Sequence, residues 1–247
     1  MKDVELIIKS NKKVSKDIYL MRLEGDCSEI KNCGEFINIT LPNHYLRRPI
    51  SVCDYSDNHV DILFKILGHG TKDMSNFEVG KSLKCLIGLG NGFDIKENIN
   101  PVLIAGGIGI APFTAVIKKY NKLGIKPILI YGARSKDDLV ILDEIKDMVD
   151  IHMCTDDGSY GYKGNVVDLI KYENIKVDYY YACGPYRMLE AVAKTFGDGE
   201  VSLEARMGCG FGACMGCSIK TTSGPKRVCK EGPVFKGKEV LWWWILK

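Results

Sequence analysis

Four thiols near the carboxyl terminus carry the plainest chemistry in this chain. Cys209, Cys214 and Cys217 stand at C-x4-C-x2-C spacing within Cys209-Gly210-Phe211-Gly212-Ala213-Cys214-Met215-Gly216-Cys217, and Cys229 follows a short loop later. That arrangement wraps a plant-type [2Fe-2S] cluster in four cysteine sulfurs. A core of that kind with four thiolates is net negative, so it needs backbone N–H groups aimed at sulfur. Gly208, Gly210, Gly212 and Gly216 let the loop turn tightly enough to aim them. Two other uses of four cysteines stand beside this one. Zinc ribbons present two separated short-spaced pairs, whereas here three ligands crowd one loop. Disulfides belong to oxidising compartments, and the opening Met1-Lys2-Asp3-Val4 has no secretory pattern, so a reducing cytoplasm is the expectation.

A second group of residues reads as nucleotide chemistry. Arg47-Arg48-Pro49-Ile50-Ser51 sets a guanidinium and a hydroxyl beside a stiffening proline, a grip for a phosphate oxygen and a flat ring system. Leu63-Phe64-Lys65 runs into Gly68-His69-Gly70-Thr71, where glycines allow the backbone to approach a pyrophosphate; each piece alone also reads as surface or turn. Gly106-Gly107-Ile108-Gly109-Ile110-Ala111-Pro112 follows an apolar run and opens a helix, the setting in which a glycine-rich turn meets phosphates. It departs from G-x-G-x-x-G, and Gly132-Ala133-Arg134-Ser135 stands where an acidic residue would end the second strand, so this is a different nucleotide fold. Cys183-Gly184-Pro185 follows a strand-like run and precedes a helix, a place where a small polarizable side chain can abut a ring or merely pack.

The elements that must position these groups fall into two rhythms. From Val4 to about Leu89 the runs Val4–Lys9, Ile18–Leu23, Phe36–Leu41, Val60–Leu67 and Leu83–Ile87 alternate with period two, arguing for a small antiparallel barrel or sandwich. Around Asn98 to Pro101 this changes to apolar runs at Val102–Ala105, Ile128–Tyr131, Ile151–Cys154, Tyr179–Ala182 and Val201–Leu203. Helices are expected between them over about Phe113–Asn121, Lys136–Met148, Val166–Tyr172 and Tyr186–Thr195. Strands alternating with helices imply an open parallel sheet covered on both faces.

The 247 residues allow two modest cores and an appendage. With 34 basic and 31 acidic residues well mixed, no basic stripe for nucleic acid is visible. The most apolar piece, Val240 to Leu246, is a third of a membrane span, so no membrane partner is expected. Cys27, Cys33, Cys53, Cys85, Cys154 and Cys183 lack metal-ligand spacing and read mostly as small core residues. His44, His59, His69 and His152 are scattered, which gives hydrolysis no support, and Asp156-Asp157-Gly158-Ser159 is a turn rather than a calcium loop.

The order of these pieces resembles the ferredoxin-NADP reductase superfamily: an antiparallel domain with Arg-Pro-x-Ser, then Gly-Gly-x-Gly-x-Ala-Pro, then Cys-Gly-Pro. The segment from Met207 to Cys217, with Arg227-Val228-Cys229-Lys230-Glu231-Gly232-Pro233-Val234-Phe235, resembles the electron-transfer subunits of B-type, NAD-dependent dihydroorotate dehydrogenases. The resemblance implies a β plus α/β architecture: an FAD-binding antiparallel β-barrel over residues 1–97, an NAD-binding parallel-sheet domain over 98–203, and a small [2Fe-2S] domain over 204–247. It implies that Arg48, Pro49, Ile50, Ser51, Leu63, Phe64, Lys65, Gly70 and Thr71 contact FAD. Lys65 stands where relatives often have Arg, replacing a bidentate fork with a point charge. It also implies that Gly107, Gly109, Cys183, Gly184 and Pro185 line the nicotinamide site, and that Cys209, Cys214, Cys217 and Cys229 bind the cluster. No acid or base for orotate chemistry is implied in this chain. The tail Trp242-Trp243-Trp244-Ile245-Leu246-Lys247 departs from the family's short acidic ending.

The function so implied is transfer between carriers. An FMN-containing partner subunit would oxidise dihydroorotate in pyrimidine biosynthesis, the resemblance implying a heterotetramer with two copies of each subunit, and electrons would reach NAD through the [2Fe-2S] cluster and FAD. Two alternatives are a flavin and iron-sulfur subunit of a ferredoxin-NADP transhydrogenase or sulfide dehydrogenase, and a zinc-stabilised nucleotide-binding module without redox activity. Arg134 and Ser135 could take a 2′-phosphate, so NAD in place of NADP follows from the resemblance alone.

Overall fold

A computed structural model describes residues 1–97 and 99–245. Residue 98, where the expected domain boundary falls, and the last two residues of the Trp-rich tail lie outside the described residues. The first six strands are β1 (Lys2–Lys13), β2 (Ile18–Glu24), β3 (Phe36–Ile39), β4 (Arg48–Tyr55), β5 (His59–Lys65) and β6 (Ser82–Leu89). They close an antiparallel barrel in the order β1-β2-β5-β4-β3-β6. Alternation does the work: Leu6, Ile8, Met21, Leu23, Ile37, Ile39, Val52, Ile62 and Cys85 meet in the interior while their neighbours face out. The sequence pattern did not announce β4, because Arg-Arg-Pro breaks its apolar alternation, nor the short helix α1 (His69–Ser75), whose residues read as a turn.

Seven strands form the second sheet, in the order β10-β9-β8-β7-β11-β12-β15: β7 (Val102–Gly106), β8 (Ile128–Ala133), β9 (Asp150–Thr155), β10 (Tyr162–Lys163), β11 (Tyr180–Cys183), β12 (Gly199–Ser202) and β15 (Val234–Lys236). All neighbours are parallel except β12 and β15. Both faces are buried, as parallel sheets require. Val102, Ile104, Ile130, Tyr180 and Ala182 pack on the side of α4 (Val166–Tyr172) and α5 (Tyr186–Phe196). Leu103, Ala105, Leu129, Tyr131 and Tyr181 pack on the side of α2 (Phe113–Lys122).

The helix expected over Lys136–Met148 does not form as one piece. A 3-10 turn covers Lys136–Asp138, and only α3 (Leu142–Ile145) is α-helical. Tyr131 explains the break: its hydroxyl donates to the Asp138 carbonyl and accepts from the Val140 N–H, and Val140 and Ile141 are drawn into the core. Burying these β-branched side chains outweighs continuing a helix, and Ile141 takes a left-handed backbone at φ 54°.

The cysteine segment is not a free appendage. Strands β13 (Ser218–Thr221) and β14 (Gly224–Arg227) make a separate hairpin, and the chain then returns β15 to the edge of the parallel sheet, pairing Val201 with Phe235. The tail begins with α6 (Trp242–Ile245), whose Trp242 is buried and donates its indole N–H to the Gly237 carbonyl at 3.2 Å.

The barrel docks on the sheet through a small polar set. Cys53 donates to Thr114 at 3.4 Å, Lys118 pairs with Asp54, Ser15 donates to the Asp137 carbonyl, and Lys65 pairs with Asp138. The connection itself is pinned from beneath. The Tyr181 hydroxyl donates to the Asp94 carbonyl at 2.8 Å and accepts from the Lys96 N–H at 3.1 Å and the Tyr120 hydroxyl at 2.9 Å. Glu200 accepts from the Asp94 N–H at 2.9 Å. Tyr181→Phe strands two of these main-chain groups and is expected to cost about 1–3 kcal/mol, read as a lower urea midpoint at unchanged slope.

Candidate functional site

The barrel is open at one place, and backbone pairing shows why. Residues Arg48–Ser51 pair only with β3, and β4 meets β5 from Val52↔Ile62 onward. Leu63–Lys65 pair only with β2. The two half-strands splay apart, leaving main-chain groups along the gap without a sheet partner, and groups of that kind need something to bond.

A cleft of about 550 Å³ fills this gap and continues to the carboxyl ends of the parallel strands, a size suited to a small-molecule cofactor. Arg48, Pro49, Ile50, Ser51, Leu63, Phe64, Lys65, Gly70 and Thr71 all line it, together with Gly109 and Cys183 across the domain junction. Gly107, Gly184 and Pro185 are not on its lining. Gly184 and Pro185 build the wall from behind, where the turn after β7 and the turn after β11 press together: a side chain at Gly109 would fall on the Cys183 carbonyl, one at Gly184 would meet Gly106, and one at Gly106 would meet Pro185, whereas one at Gly107 would meet open space.

The two arginines of the Arg-Arg pair separate. Arg47 pairs with Asp3 at 2.9 Å on the barrel. Arg48 lies flat on Gly70, donates to the Leu46 carbonyl and contacts His44 Nδ1 at 3.0 Å, while His44 Nε2 contacts Asp73 at 2.8 Å. A guanidinium only donates, so Nδ1 accepts, and Nε2 carries the proton donated to Asp73. His44 therefore braces the Arg48 guanidinium that lines the cleft, a role its sequence position did not signal. The Lys65 ammonium is shared with Asp138 at 3.2 Å and Asp17 at 3.5 Å, so this lysine ties barrel to sheet as well as lining the cleft. Thr71 turns its hydroxyl inward, accepting from the Leu67 and Gly68 N–H groups.

Sequence reasoning also missed Phe36, His69, Ile108 and Pro233, and the strap Leu203–Met207, all of which line the cleft. The strap brings the cysteine segment to the cleft's edge. Glu204 is exposed on the cleft's rim, and partial desolvation by the surrounding walls raises its carboxyl above the usual range. Burial, with the nearby Glu204 charge adding to it, also pushes the Cys183 thiol up, so that thiol is an uncharged wall.

The four cysteines gather in pairs. Cys209 Sγ accepts from the Ala213 N–H at 3.2 Å and the Cys214 N–H at 3.5 Å, and Cys217 Sγ accepts from the Cys229 N–H at 3.4 Å. Desolvation would raise the Cys209 pKa, but the N–H groups of Phe211, Cys214 and Ala213 win and hold it down at about 6. Burial, then the adjacent Cys217 thiol, pushes Cys229 up to about 12. Arg227 closes the loop by donating to the Gly212 carbonyl and clamping Glu231, whose carboxyl it lowers to about 2. Among the described residues the group of three metal-type ligands within 4.8 Å of one another is Asp54, His59 and Asp61, not a set of cysteines. Arg22 and Lys118 already neutralise those carboxylates. A single tetrahedral ion needs four sulfurs around one point; two pairs with N–H groups aimed at sulfur fit a two-iron cluster. Cys214 is exposed, Cys217 and Cys229 are buried, and Phe211 and Met215 stand out at 45% and 50% exposure.

Comparison with known proteins agrees with this layout. Residues 204–241 match the iron-sulfur cluster binding domain of dihydroorotate dehydrogenase B, and residues 103–194 match the oxidoreductase NAD-binding domain. The dihydroorotate dehydrogenase B (NAD(+)) electron transfer subunit of Fusobacterium nucleatum is 40% identical, over 97% of this chain and 99% of its own. That of Streptococcus pneumoniae strain R6 is 34% identical, over 94% and 96%. The chain belongs to this family of electron transfer subunits. Among solved structures, an NADH-dependent reduced ferredoxin-NADP oxidoreductase superposes with TM-score 0.88 at 27% identity, covering 96% of this chain and 90% of that one. Phthalate dioxygenase reductase superposes with TM-score 0.67 at 19% identity, covering 90% and 87%, a likeness of fold. Membership sets the zinc-stabilised module aside and favours the dihydroorotate dehydrogenase reading over the transhydrogenase one. No helix among the described residues is long and apolar enough to cross a membrane.

The lowered Cys209 pKa gives this family member a pH signature. A depressed folded pKa adds stability that is present above the ordinary thiol value, about 8.5, and is lost as pH falls through the folded value. In cluster-free protein, alkylation of Cys209 by iodoacetamide should therefore persist as pH is lowered to about 6, read by peptide mass mapping.

Proposed function

We propose that this chain carries electrons between a dihydroorotate-oxidising partner subunit and NAD in pyrimidine biosynthesis, using a [2Fe-2S] cluster and FAD. The observation that carries the reading is the meeting of three sites at one cleft: the splayed flavin-type strands, the wall of Gly109 and Cys183, and the strap that leads into Cys209. FAD, when bound, exchanges two electrons with nicotinamide as hydride and single electrons with an iron-sulfur centre, which neither of those carriers does alone.

In this reading the open main-chain edges of Arg48–Ser51 and Leu63–Lys65 hold the flavin. Arg48, braced by His44, takes its pyrophosphate together with the backbone around Gly70 and Thr71. Ile50, Leu63, Ile108, Ala111, Pro112 and Leu203 make the intervening cleft apolar and exclude water. Gly109 lets a nicotinamide ring approach the Cys183 wall, while Gly184 and Pro185 keep the two turns in contact behind it and Gly107, at φ 54°, lets the first turn bend toward the nucleotide. Cys209, Cys214, Cys217 and Cys229 hold the cluster as two pairs. NAD is the nicotinamide nucleotide, in keeping with the names of the relatives.

The partner is an FMN-containing catalytic subunit, assembled two and two with this chain in the cytoplasm. Its docking face is the exposed rim of the cluster loop, since Phe211 and Met215 present apolar surface next to exposed Cys214. The boundaries 1–97, 98–203 and 204–247 describe the division of labour, with β15 returned by the last segment to the NAD-binding sheet.

Co-purification with a dihydroorotate-oxidising subunit, followed by an assay of NAD reduction coupled to orotate formation, tests the whole. Turnover with ferredoxin and NADPH in its place would support the transhydrogenase reading. Protein lacking iron and acid-labile sulfide after anaerobic reconstitution would end both. Phe211→Lys with Met215→Lys should weaken partner binding about 10- to 100-fold while leaving iron and flavin content unchanged, measured by titration calorimetry and absorbance.

A further inference from the structure

Strand β3 has both faces buried, and one residue on it is polar. Ile37 and Ile39 point into the barrel core and Phe36 packs on the opposite side, so Asn38 shares the outward face with Phe36. Asn38 is 1% exposed. Its Nδ2 donates to the carbonyl of Cys209 at 3.2 Å, across 171 residues of sequence. Its Oδ1 is buried with no partner among the described protein atoms. In the β3–β4 register Asn38 lies opposite Pro49, which lines the cleft. The fit on the other side is equally close: Gly210 has φ +77°, and a side chain there would land on Asn38 Nδ2.

A residue kept only for packing would be apolar here, because an unpaired buried amide oxygen lowers the folding equilibrium about tenfold or more. We propose that Asn38 is the positioning residue that sets how the cluster loop sits against the flavin strands. It holds the Cys209 main chain at a fixed separation from Pro49. Its N–H dipole, one peptide from a ligand sulfur, also stabilises the more negative, reduced form of the centre. Oriented donors near such a centre tune its potential, and a rigid span between two carriers keeps their separation constant. The inference rests on the reading of Cys209 as a cluster ligand, and its test is arranged to separate the two.

The variants are Asn38→Leu, which keeps the branched shape and removes both the donor and the unpaired oxygen, and Asn38→Ala, which removes them without a branched side chain beside Gly210. In the cluster-free full chain, amide hydrogen exchange over residues 209–214 should speed up about tenfold in both variants, with exchange in the barrel core unchanged. In the reconstituted full chain, flavin and iron content should match wild type while the reduction potential of the iron-sulfur centre moves down, followed by spectroelectrochemical titration. Unchanged local exchange and potential would overturn the proposal. So would acceleration spread equally over every amide, which marks a residue serving global stability alone. Wild-type protein that takes up no iron would overturn the cluster reading instead, and the exchange measurement would still decide whether Asn38 holds the loop.

Discussion

The structure turns on an unfinished strand pairing. Sheet ladders satisfy main-chain groups by running to the ends of both strands, yet β4 and β5 share only the stretch from Val52 and Ile62 onward. Beyond that point Arg48–Ser51 leans on β3 and Leu63–Lys65 on β2, so the barrel keeps its closure while presenting open edges to one side. Pro49 belongs in such a half-strand, since it removes a donor where there is one neighbour to serve. The cleft, the placement of Arg48 and the approach of the sheet's carboxyl end all follow from this gap.

What keeps the gap facing the sheet is a set of hydrogen bonds under the connection between the domains. Tyr181 and Tyr120 come from the sheet and its helix and bind the main chain of Asp94 and Lys96, while Glu200 takes the Asp94 N–H. Burying hydroxyls and a carboxylate is costly unless each is paired, and here the pairing is with backbone that would otherwise swing free. Lys236 completes the set, donating to Glu200 at 2.6 Å and to the Tyr179 hydroxyl at 2.9 Å from β15. The strand that follows the last cysteine thus helps to fix the joint at which the other two sites meet.

The cysteine loop solves a different problem. Four thiolates repel one another, and the loop answers with N–H groups directed at Cys209 and Cys217 and with Arg227 drawn close by Glu231. Burial is uneven, with Cys217 and Cys229 inside and Cys214 outside. The loop is thus embedded in the chain on one side and open to its surroundings on the other.

Local spacing alone singled out the four cysteines as a set, because C-x4-C-x2-C is a short-range pattern that any fold must leave intact, and period-two and βα rhythms determined barrel and sheet for the same reason. Contacts between distant segments were decided only in three dimensions. No pattern around His44 marks it as the brace of Arg48, nothing near Asn38 points to Cys209, and β15 reads as a loop until it meets β12. The helix expected over 136–148 failed likewise, since its periodicity was outbid by Tyr131, a residue outside the segment. Propensity and spacing act between neighbours in the chain, whereas closing a cleft depends on which surfaces are buried together, and that is settled by the whole fold.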